Sequence, residues 1–473
     1  MQSEKKIFDF FDNSLISIDI ISNYVKRFNA FFHAHRFDNT PTAINYVLGL
    51  LKCPKGEANM ERMEEEIDQS EYRAYQQFIT NSNWDCEGLF KSIAQESSEL
   101  LATQAIKNQL STGYILDESG HLKKGIESVG VARQYAGVAG KVDNCQVGVY
   151  ASLVNEKYAT IINQRLFLTQ TWTDDVERCE KAGIPQEYRS YKTKQNLALD
   201  MLEQDIARGV KFDWIGGDGF YGHGKELSQK IDDMKLFFVF DVHKDETVYE
   251  EEPIIEVPKK QKVKGRAPKN LKANKTAVRL DNIITKIPEN EWKTEQIRDT
   301  TKGKLILKVY KKEVWSWDGK ESTARKRTLI ITKSTGKAQK IKYSLSNGEL
   351  NQYNHQQYAY FIAQRYWVER TFDNAKNELG MSDYQTRKWK SWHHHHSLLM
   401  LASLFIMKQQ IENQKEVPLL SFRDARILII LQVFGTQKEV EQRLVQMENR
   451  HKKRQYDIDF NIKKKSDNQL IKT

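Results

Sequence analysis

The sequence predicts a mixed α/β (α+β) protein: a sheet-forming core, interrupted by a β-rich insertion and flanked by helical N- and C-terminal parts. Three observations predict it. Apolar spacing near 3.6 residues fills much of the first hundred positions. Two strand-like apolar runs, Tyr114–Asp117 and Phe212–Gly217, each deliver an aspartate into a turn, Asp117 before Glu-Ser-Gly and Asp218 before Gly-Phe-Tyr-Gly. A late helical segment carries Glu369, which lies 151 residues after Asp218, whereas Asp218 lies 101 after Asp117. The longer gap exceeds a simple connection and implies an inserted unit.

In order along the chain, Thr42–Leu51, Glu61–Glu66, Glu71–Phe78 and Cys86–Thr103 read as helices, with Asp or Ser near their starts. Trp84 sits at a helix entry and reads as a core anchor rather than a base contact. Tyr114–Asp117, Val129–Tyr135, Cys145–Leu153 and Ile161–Leu168 read as strands. Ser190–Ile206 and Lys225–Ile231 read as helices around the strand Phe212–Gly217, and Leu236–Val242 is apolar enough for a buried strand. From His243 the composition shifts: Glu250-Glu-Glu precedes a basic Pro258–Lys269 segment expected to be mobile. Ala277–Ile284, Thr294–Asp299, Lys304–Lys311, Thr328–Thr332 and Lys340–Ser344 then read as the β-rich insertion. Gln357–Glu378, Ser397–Gln409, Phe422–Phe434 and Gln437–Val445 read as the closing helices, His393–His396 as the start of the second of them, and the basic tail as mobile. The resulting divisions are 1–108, helical; 109–244, first part of the core; 245–350, insertion; 351–415, last part of the core; and 416–473, helices and tail.

Lysine and arginine exceed aspartate and glutamate by 73 to 63, a net charge of +10 that favours a polyanionic partner. Cys53, Cys86, Cys145 and Cys179 are scattered, which argues against a disulfide framework or a zinc site. No signal-peptide core opens the chain and no apolar run reaches membrane-spanning length, so a cytoplasmic protein without a membrane partner is expected.

Asp117, Asp218 and Glu369 are the candidate catalytic and metal-ligating residues. Mg²⁺ prefers oxygen ligands and keeps several waters, so few carboxylates suffice, and two such ions can serve both the attacking and the leaving oxygen of a phosphodiester. Each acid alone also reads as a turn former or a solvated helix residue. Their concurrence carries the stronger reading. Asp117 is preferred to its neighbour Glu118 because a short side chain suits a ligand on a strand end; Glu118 is the fallback. Arg365, Glu369 and Lys376, at spacings of four and seven, share one helix face.

These motifs resemble a known family. The block Ser128–Val149, with Tyr191–Leu199, the Asp218-Gly-Phe-Tyr-Gly turn and Trp392-His-His-His-His-Ser-Leu, is similar to insertion-sequence transposases of the Asp-Asp-Glu (DDE) type, within the insertion-sequence-four superfamily and nearest its seven-hundred-one branch. The resemblance runs from about Phe32 to about Gln410. It implies a ribonuclease-H-like core, catalysis by Asp117, Asp218 and Glu369, and two Mg²⁺ ions, with Mn²⁺ as a substitute. The implied reaction is cut-and-paste excision and strand transfer: water hydrolyses the phosphodiester at the transposon end, and the freed 3′-hydroxyl attacks target DNA. The implied partners are double-stranded DNA (terminal inverted repeats and target) and a second copy of the chain as a homodimer on paired ends, in a bacterial-type, nucleoid-associated setting.

The superfamily signature Tyr-x₂-Arg-x₃-Glu-x₆-Lys is met by Arg365, Glu369 and Lys376, but Ile362 stands where tyrosine is usual, with Tyr360 and Tyr366 nearby. The usual Asp-Asp pair is here Asp117-Glu118. In such families the leading helical unit binds the transposon end, its other reading being a bundle that only packs on the core, and aromatic residues of the insertion can stack on a flipped base; Trp315 and Trp317 read either as that platform or as a packed pair in a small β core. Alternation places both indoles on one strand face. Lys123 and Lys124, after Asp117, are further phosphate candidates, as are the insertion's cations Lys308–Lys312, Arg325–Arg327 and Lys340–Lys342. The alternatives are a ribonuclease-H-like endonuclease without strand transfer and a domesticated DNA-binding regulator that no longer cuts.

Overall fold

A computed structural model describes residues 18–259, 268–301, 303–335 and 339–470. The chain divides into two compact units, one of residues 1–112, 117–212 and 366–455, the other of residues 113–116, 213–365 and 456–473.

The first unit opens with helices α1 (Ile18–Lys26), α2 (Thr40–Lys52), α3 (Met60–Glu66), α4 (Tyr72–Thr80) and α5 (Cys86–Asn108). Asn59 and Asp85 cap α3 and α5 by accepting backbone N–H bonds from Arg62 and Gly88. Trp84 is the anchor its position suggests: it is buried, stacks on Phe78 and donates its indole N–H to the Phe78 carbonyl. Strand β1 (Gly113–Leu122) enters this unit from Asp117 onward, beside β2 (Ala132–Ala136), β3 (Lys141–Asn155) and β4 (Tyr158–Leu166), with β3 antiparallel to both β2 and β4. Helix α6 (Lys194–Ala207), capped by Thr193, packs on β3 and β4.

In the second unit, β1 residues Gly113–Leu116 pair in parallel with β5 (Trp214–Gly217), and β5 pairs in parallel with β6 (Phe238–Val242). The order β4–β3–β1–β5–β6, with three parallel strands at one end and antiparallel neighbours at the other, is the ribonuclease-H-like order. Helices α7 (Gly219–His223) and α8 (Lys225–Asp233) connect β5 to β6. The insertion continues the sheet as an antiparallel meander, β7 (Lys293–Thr300), β8 (Gly303–Ser316), β9 (Arg325–Ser334) and β10 (Ile341–Ser346), whose last strand pairs with β6. Residues of period two, such as Leu329 and Ile331 or Tyr343 and Leu345, bury one face with Trp292 and Tyr310.

Helix α9 (His355–Glu378) carries Glu369 and is followed by α10 (Trp389–Glu412), α11 (Phe422–Phe434) and α12 (Gln437–Leu470). Several expectations change. Ala277–Ile284 is strand only at Val278–Arg279 and then turns helical at Leu280–Ile283, because Leu280 and Ile283 bury together at helical spacing. His393–His396 lie inside α10, fully within the core of the first unit rather than at a helix start. His394 stacks on Trp84, His395 meets the Tyr46 hydroxyl, and His396 meets the Tyr150 hydroxyl, so each ring has a polar or aromatic partner. The basic tail is helical to Leu470. Of the expected mobile segment, residues 260–267 lie outside the described residues. The four cysteines are free, and no helix among the described residues is long and apolar enough to cross a membrane.

Candidate active site

Leu116 pairs with Gly217 in parallel register, so Asp117 and Asp218 are the next residues along two neighbouring strands. Asp218 directly follows the last residue of β5, but Asp117 does not end its strand as expected: β1 runs on through Glu118-Ser119-Gly120 to Leu122, so Asp117 is its fifth residue. Asp218 is half-buried and caps α7, its Oδ1 accepting the Phe220 N–H at 2.9 Å. The glycines of this turn have a packing reason. A Cβ on Gly222 would meet the carbonyl oxygen of Asp241, and one on Gly219 would lie 3.0 Å from the His243 ring. Only glycine lets α7 lie this close to β6.

Asp117 is half-buried, with Oδ1 accepting the Glu118 N–H at 2.8 Å. The fallback Glu118 is held by the Lys194 ammonium at 2.9 Å. Lys376 donates to the Gly120 carbonyl at 3.2 Å. Burial lowers its pKa, and the Asp373 and Asp117 charges oppose that shift, which places the ammonium within electrostatic reach of Asp117. Glu369 is exposed on α9, two helical turns before Lys376. Arg365 donates to Asp241 at 2.7 Å, and Asp241 also accepts the Ser344 hydroxyl at 2.8 Å. Asp241 is the residue that the sequence reading missed. Its signal was a lone acid in the apolar run Leu236–Val242.

Asp117, Glu369, Lys376, Lys123 and Lys124 thus belong to the first unit, and Asp218, Arg365, Trp315 and Trp317 to the second. Ile362, at the signature's tyrosine position, is buried, whereas Tyr366 is 45% exposed. The strand β8 ends at Ser316, so only Trp315 lies on it, and the Trp317 indole donates to the Glu321 carbonyl beyond the strand. Lys123 is not on an open loop: its ammonium donates to the Tyr384 carbonyl at 2.8 Å and sits over the Tyr384 ring, and burial brings its pKa down to about 8. Lys124 is exposed. Several insertion cations expected to track DNA are matched by acids instead: Lys308 by Glu289, Lys312 by Glu250, Lys326 by Glu313, and Arg325 and Arg327 by Asp232.

Among the described residues no three His, Cys, Asp or Glu side chains are gathered closely enough to hold an ion. The donor chemistry of Asp117, Asp218 and Glu369 is nonetheless uniform. All are carboxylate oxygens, the ligand type a hard divalent cation takes while water and substrate phosphate fill its shell.

A family model described as DDE superfamily endonuclease matches residues 28–304, more than half of the chain. A protein of Microchaete diplosiphon named as the probable transposase for insertion sequence element IS701 is 29% identical over 163 residues, a stretch that covers 34% of this chain and only 38% of that relative's length. Among solved structures, the piggyBac transposase synaptic complex with hairpin DNA aligns over 93% of this chain and 81% of its own at 12% identity and a TM-score of 0.40. The NurA nuclease from Sulfolobus solfataricus aligns over 63% and 85% at 11% identity and a TM-score of 0.24.

Proposed function

The chain belongs to the DDE superfamily endonucleases, and on that premise we propose that it is an insertion-sequence transposase that cuts and rejoins double-stranded DNA at terminal repeats. The observation that supports the proposal is the parallel Leu116–Gly217 register of β1 and β5, after which Asp117 and Asp218 are the next residues along the chain. Glu369 supplies the third carboxylate from α9.

In this reading Asp117, Asp218 and Glu369 would hold two Mg²⁺ ions, and these would supply charge neutralisation at the scissile phosphate and a more acidic water. The α7 cap keeps Asp218 at the strand end. Lys376 and Arg365 flank Glu369 on one helix face and favour a phosphate there; Lys124, Trp315 and Trp317 remain candidates for contacts to the DNA path. Lys123, one residue past β1, bonds the Tyr384 carbonyl, and this contact would steady the strand that carries Asp117. Water attacks the end phosphorus and the P–O bond to the 3′-oxygen breaks, leaving a 5′-phosphate on the flank; the freed 3′-hydroxyl then loses its proton and attacks a target phosphorus, whose bond to its own 3′-oxygen breaks to leave a target 3′-hydroxyl. Positioning and charge account for most of such a barrier reduction. A second copy of the chain on the paired end completes the reaction.

The test is cleavage of DNA carrying the element's terminal repeats, in Mg²⁺ and in Mn²⁺, with duplex binding measured in parallel. Asp218→Ala and Glu369→Ala are expected to bind DNA and not cut it. Wild-type binding without cutting in either metal would make the protein a regulator, and cutting without strand transfer would make it an endonuclease only.

A further inference from the structure

The first unit carries a charged recess of about 330 Å³ that none of the roles above uses. One wall is α9 itself. Arg370, Asn374 and Asn377 recur at spacings of four and three, so they form one stripe along the helix, roughly a quarter turn around the axis from Glu369. The other walls are Lys55, from the turn after α2, and Arg423 and Arg426 of α11.

The recess is short of anionic partners. Four cations face two carboxylates, Asp373 and Glu378. Glu378 accepts from Arg426 at 3.1 Å and stands 3.6 Å from Arg423, while Asp373 stands 3.5 Å from Arg370. Lys55 has no acid partner, and the Asn374 and Asn377 amides make no hydrogen bond, among the described residues. Arg426 is more than nine-tenths buried; its two terminal nitrogens bond Glu378 and the Cys53 carbonyl, yet its Nε has no acceptor. A buried N–H without an acceptor is costly, so it signals a group that arrives from outside. An anion with several acceptor oxygens, met by guanidinium, ammonium and amide donors together, is the chemistry that fits.

We propose that this recess is a phosphodiester subsite that holds the DNA backbone beside the cleavage centre. The inference rests on the transposase reading, because it uses Glu369 as the marker of the scissile phosphate. Asn374 and Asn377 lie five and eight residues beyond Glu369, or about 7–12 Å along the helix axis. At about 3.4 Å per base step that distance corresponds to two or three nucleotides from the cut. Because one helix carries both the acid and the stripe, a phosphate seated in the recess sets the register of the strand at Glu369.

The experiment measures duplex affinity across a salt series for the full chain and for Lys55→Gln/Arg370→Gln, Asn374→Asp, and Lys211→Gln as an exposed control outside both the recess and the leading helical region. Helix content and melting temperature confirm folding, and the substituted positions avoid the buried Arg426. Losing one phosphate contact lowers the slope of log affinity against log salt by about 0.9, uniformly across sequences. The double variant is expected to show that loss and about tenfold weaker binding near physiological salt. Asn374→Asp is expected to weaken binding as much or more by repulsion, and the control is expected to leave the slope unchanged. A wild-type slope in both recess variants overturns the subsite even where Asp218→Ala still abolishes cleavage, which keeps the two proposals separable. Inorganic phosphate bound calorimetrically by the wild type and lost in the double variant, with DNA binding untouched, would assign the recess to a free anion and overturn its place on the DNA path.

Discussion

Replacing Gly222 with alanine is expected to disable cleavage while leaving the fold and DNA binding in place. Gly222 lies in the short helix α7 that Asp218 caps. An added Cβ would run into the Asp241 carbonyl oxygen, and even the next atoms, the Asp241 carbonyl carbon at 3.0 Å and the Phe240 Cβ at 3.1 Å, stand inside ordinary contact. All of these belong to β6 or its side chains, so the helix must move off the strand. Overpacking of this kind costs about 1–3 kcal/mol. The functional cost is larger than the thermodynamic one: a shift of roughly 1 Å at a reacting group lowers the rate about a hundredfold. The assay is cleavage of terminal-repeat DNA under single-turnover conditions, with the melting temperature recorded for each variant. Gly137→Ala is the control, since a Cβ there meets nothing within 4 Å and its φ is not left-handed. Wild-type cleavage by a folded Gly222→Ala protein would refute the argument that close packing of α7 on β6 is what positions Asp218.

Three further outcomes follow from the first unit. Burial drives the pKa of His393 to about 4 and those of His394 and His395 to about 3, so each ring is neutral when folded and takes a proton more readily when unfolded, near pH 6.5. Stability therefore falls as pH drops below about 6.5, by up to roughly 1.4 kcal/mol per pH unit per histidine; urea midpoints equal at pH 7 and pH 5 would contradict this. Asp424, 1% exposed, sits among Arg450, His451 and Arg454; burial opposes its charge, but the His451 and Ser421 hydrogen bonds and the Arg454 charge outweigh it and hold the carboxyl well below its usual range. Asp424→Ala is expected to cost about 3–5 kcal/mol by stranding that cationic cluster, and a change under 1 kcal/mol in urea unfolding would show that the cluster is solvated. Trp84→Ala is expected to cost about 3–5 kcal/mol through the cavity left beside Phe78 and His394, with duplex affinity of the folded protein unchanged; a selective loss of DNA binding would make Trp84 a base contact after all.

Where the sequence was legible, short-range signals sufficed. The run before Asp218 patterns as a strand because its side chains are apolar and bounded by turn residues, and the insertion shows itself through the distance to Glu369; the run at Asp117 starts as a strand too, but its polar continuation Glu118-Ser119-Gly120 hides that the strand goes on to Leu122. Phe422–Phe434 was read to the residue because Ser421 caps it and Gly435 ends it. The rest was hidden for physical reasons. His393–His396 look polar, and their burial rests on long-range rings and hydroxyls (Trp84, Tyr46, Tyr150) and on backbone carbonyls of Trp389, Ile79 and Trp392 that a sequence pattern does not show. Some partners of the insertion cations lie far away in sequence, as with Arg327 and Asp232 or Lys312 and Glu250, so the basic strand pattern does not by itself show that those cations are locally neutralised. Asp241 was passed over because a single acid in an apolar strand gives no hint of Arg365, 124 residues later.

Lys376 offers a way to test the metal reading without measuring cleavage. Its ammonium and the Asp117 carboxylate act on each other within the first unit, since Asp117 works against the pKa drop that burial imposes. A divalent cation held at Asp117 would experience the same ammonium as a repulsion. Lys376→Met keeps most of the side-chain length and removes the charge, giving up the bond to the Gly120 carbonyl, which lies on an accessible stretch of β1. Removing a positive charge that interacts with the carboxylate ligand of a doubly charged ion is worth about 1 kcal/mol in a well-screened site, so Mn²⁺, followed by its paramagnetic signal, is expected to bind several-fold more tightly to Lys376→Met than to the wild type. DNA affinity should move the other way, because the same ammonium favours phosphate. Opposite shifts in metal and DNA affinity are the signature of a cation placed between a carboxylate ligand and a phosphate. If Mn²⁺ affinity stays constant or falls, Asp117 is not a metal ligand, and Glu118 or another acid must take its place.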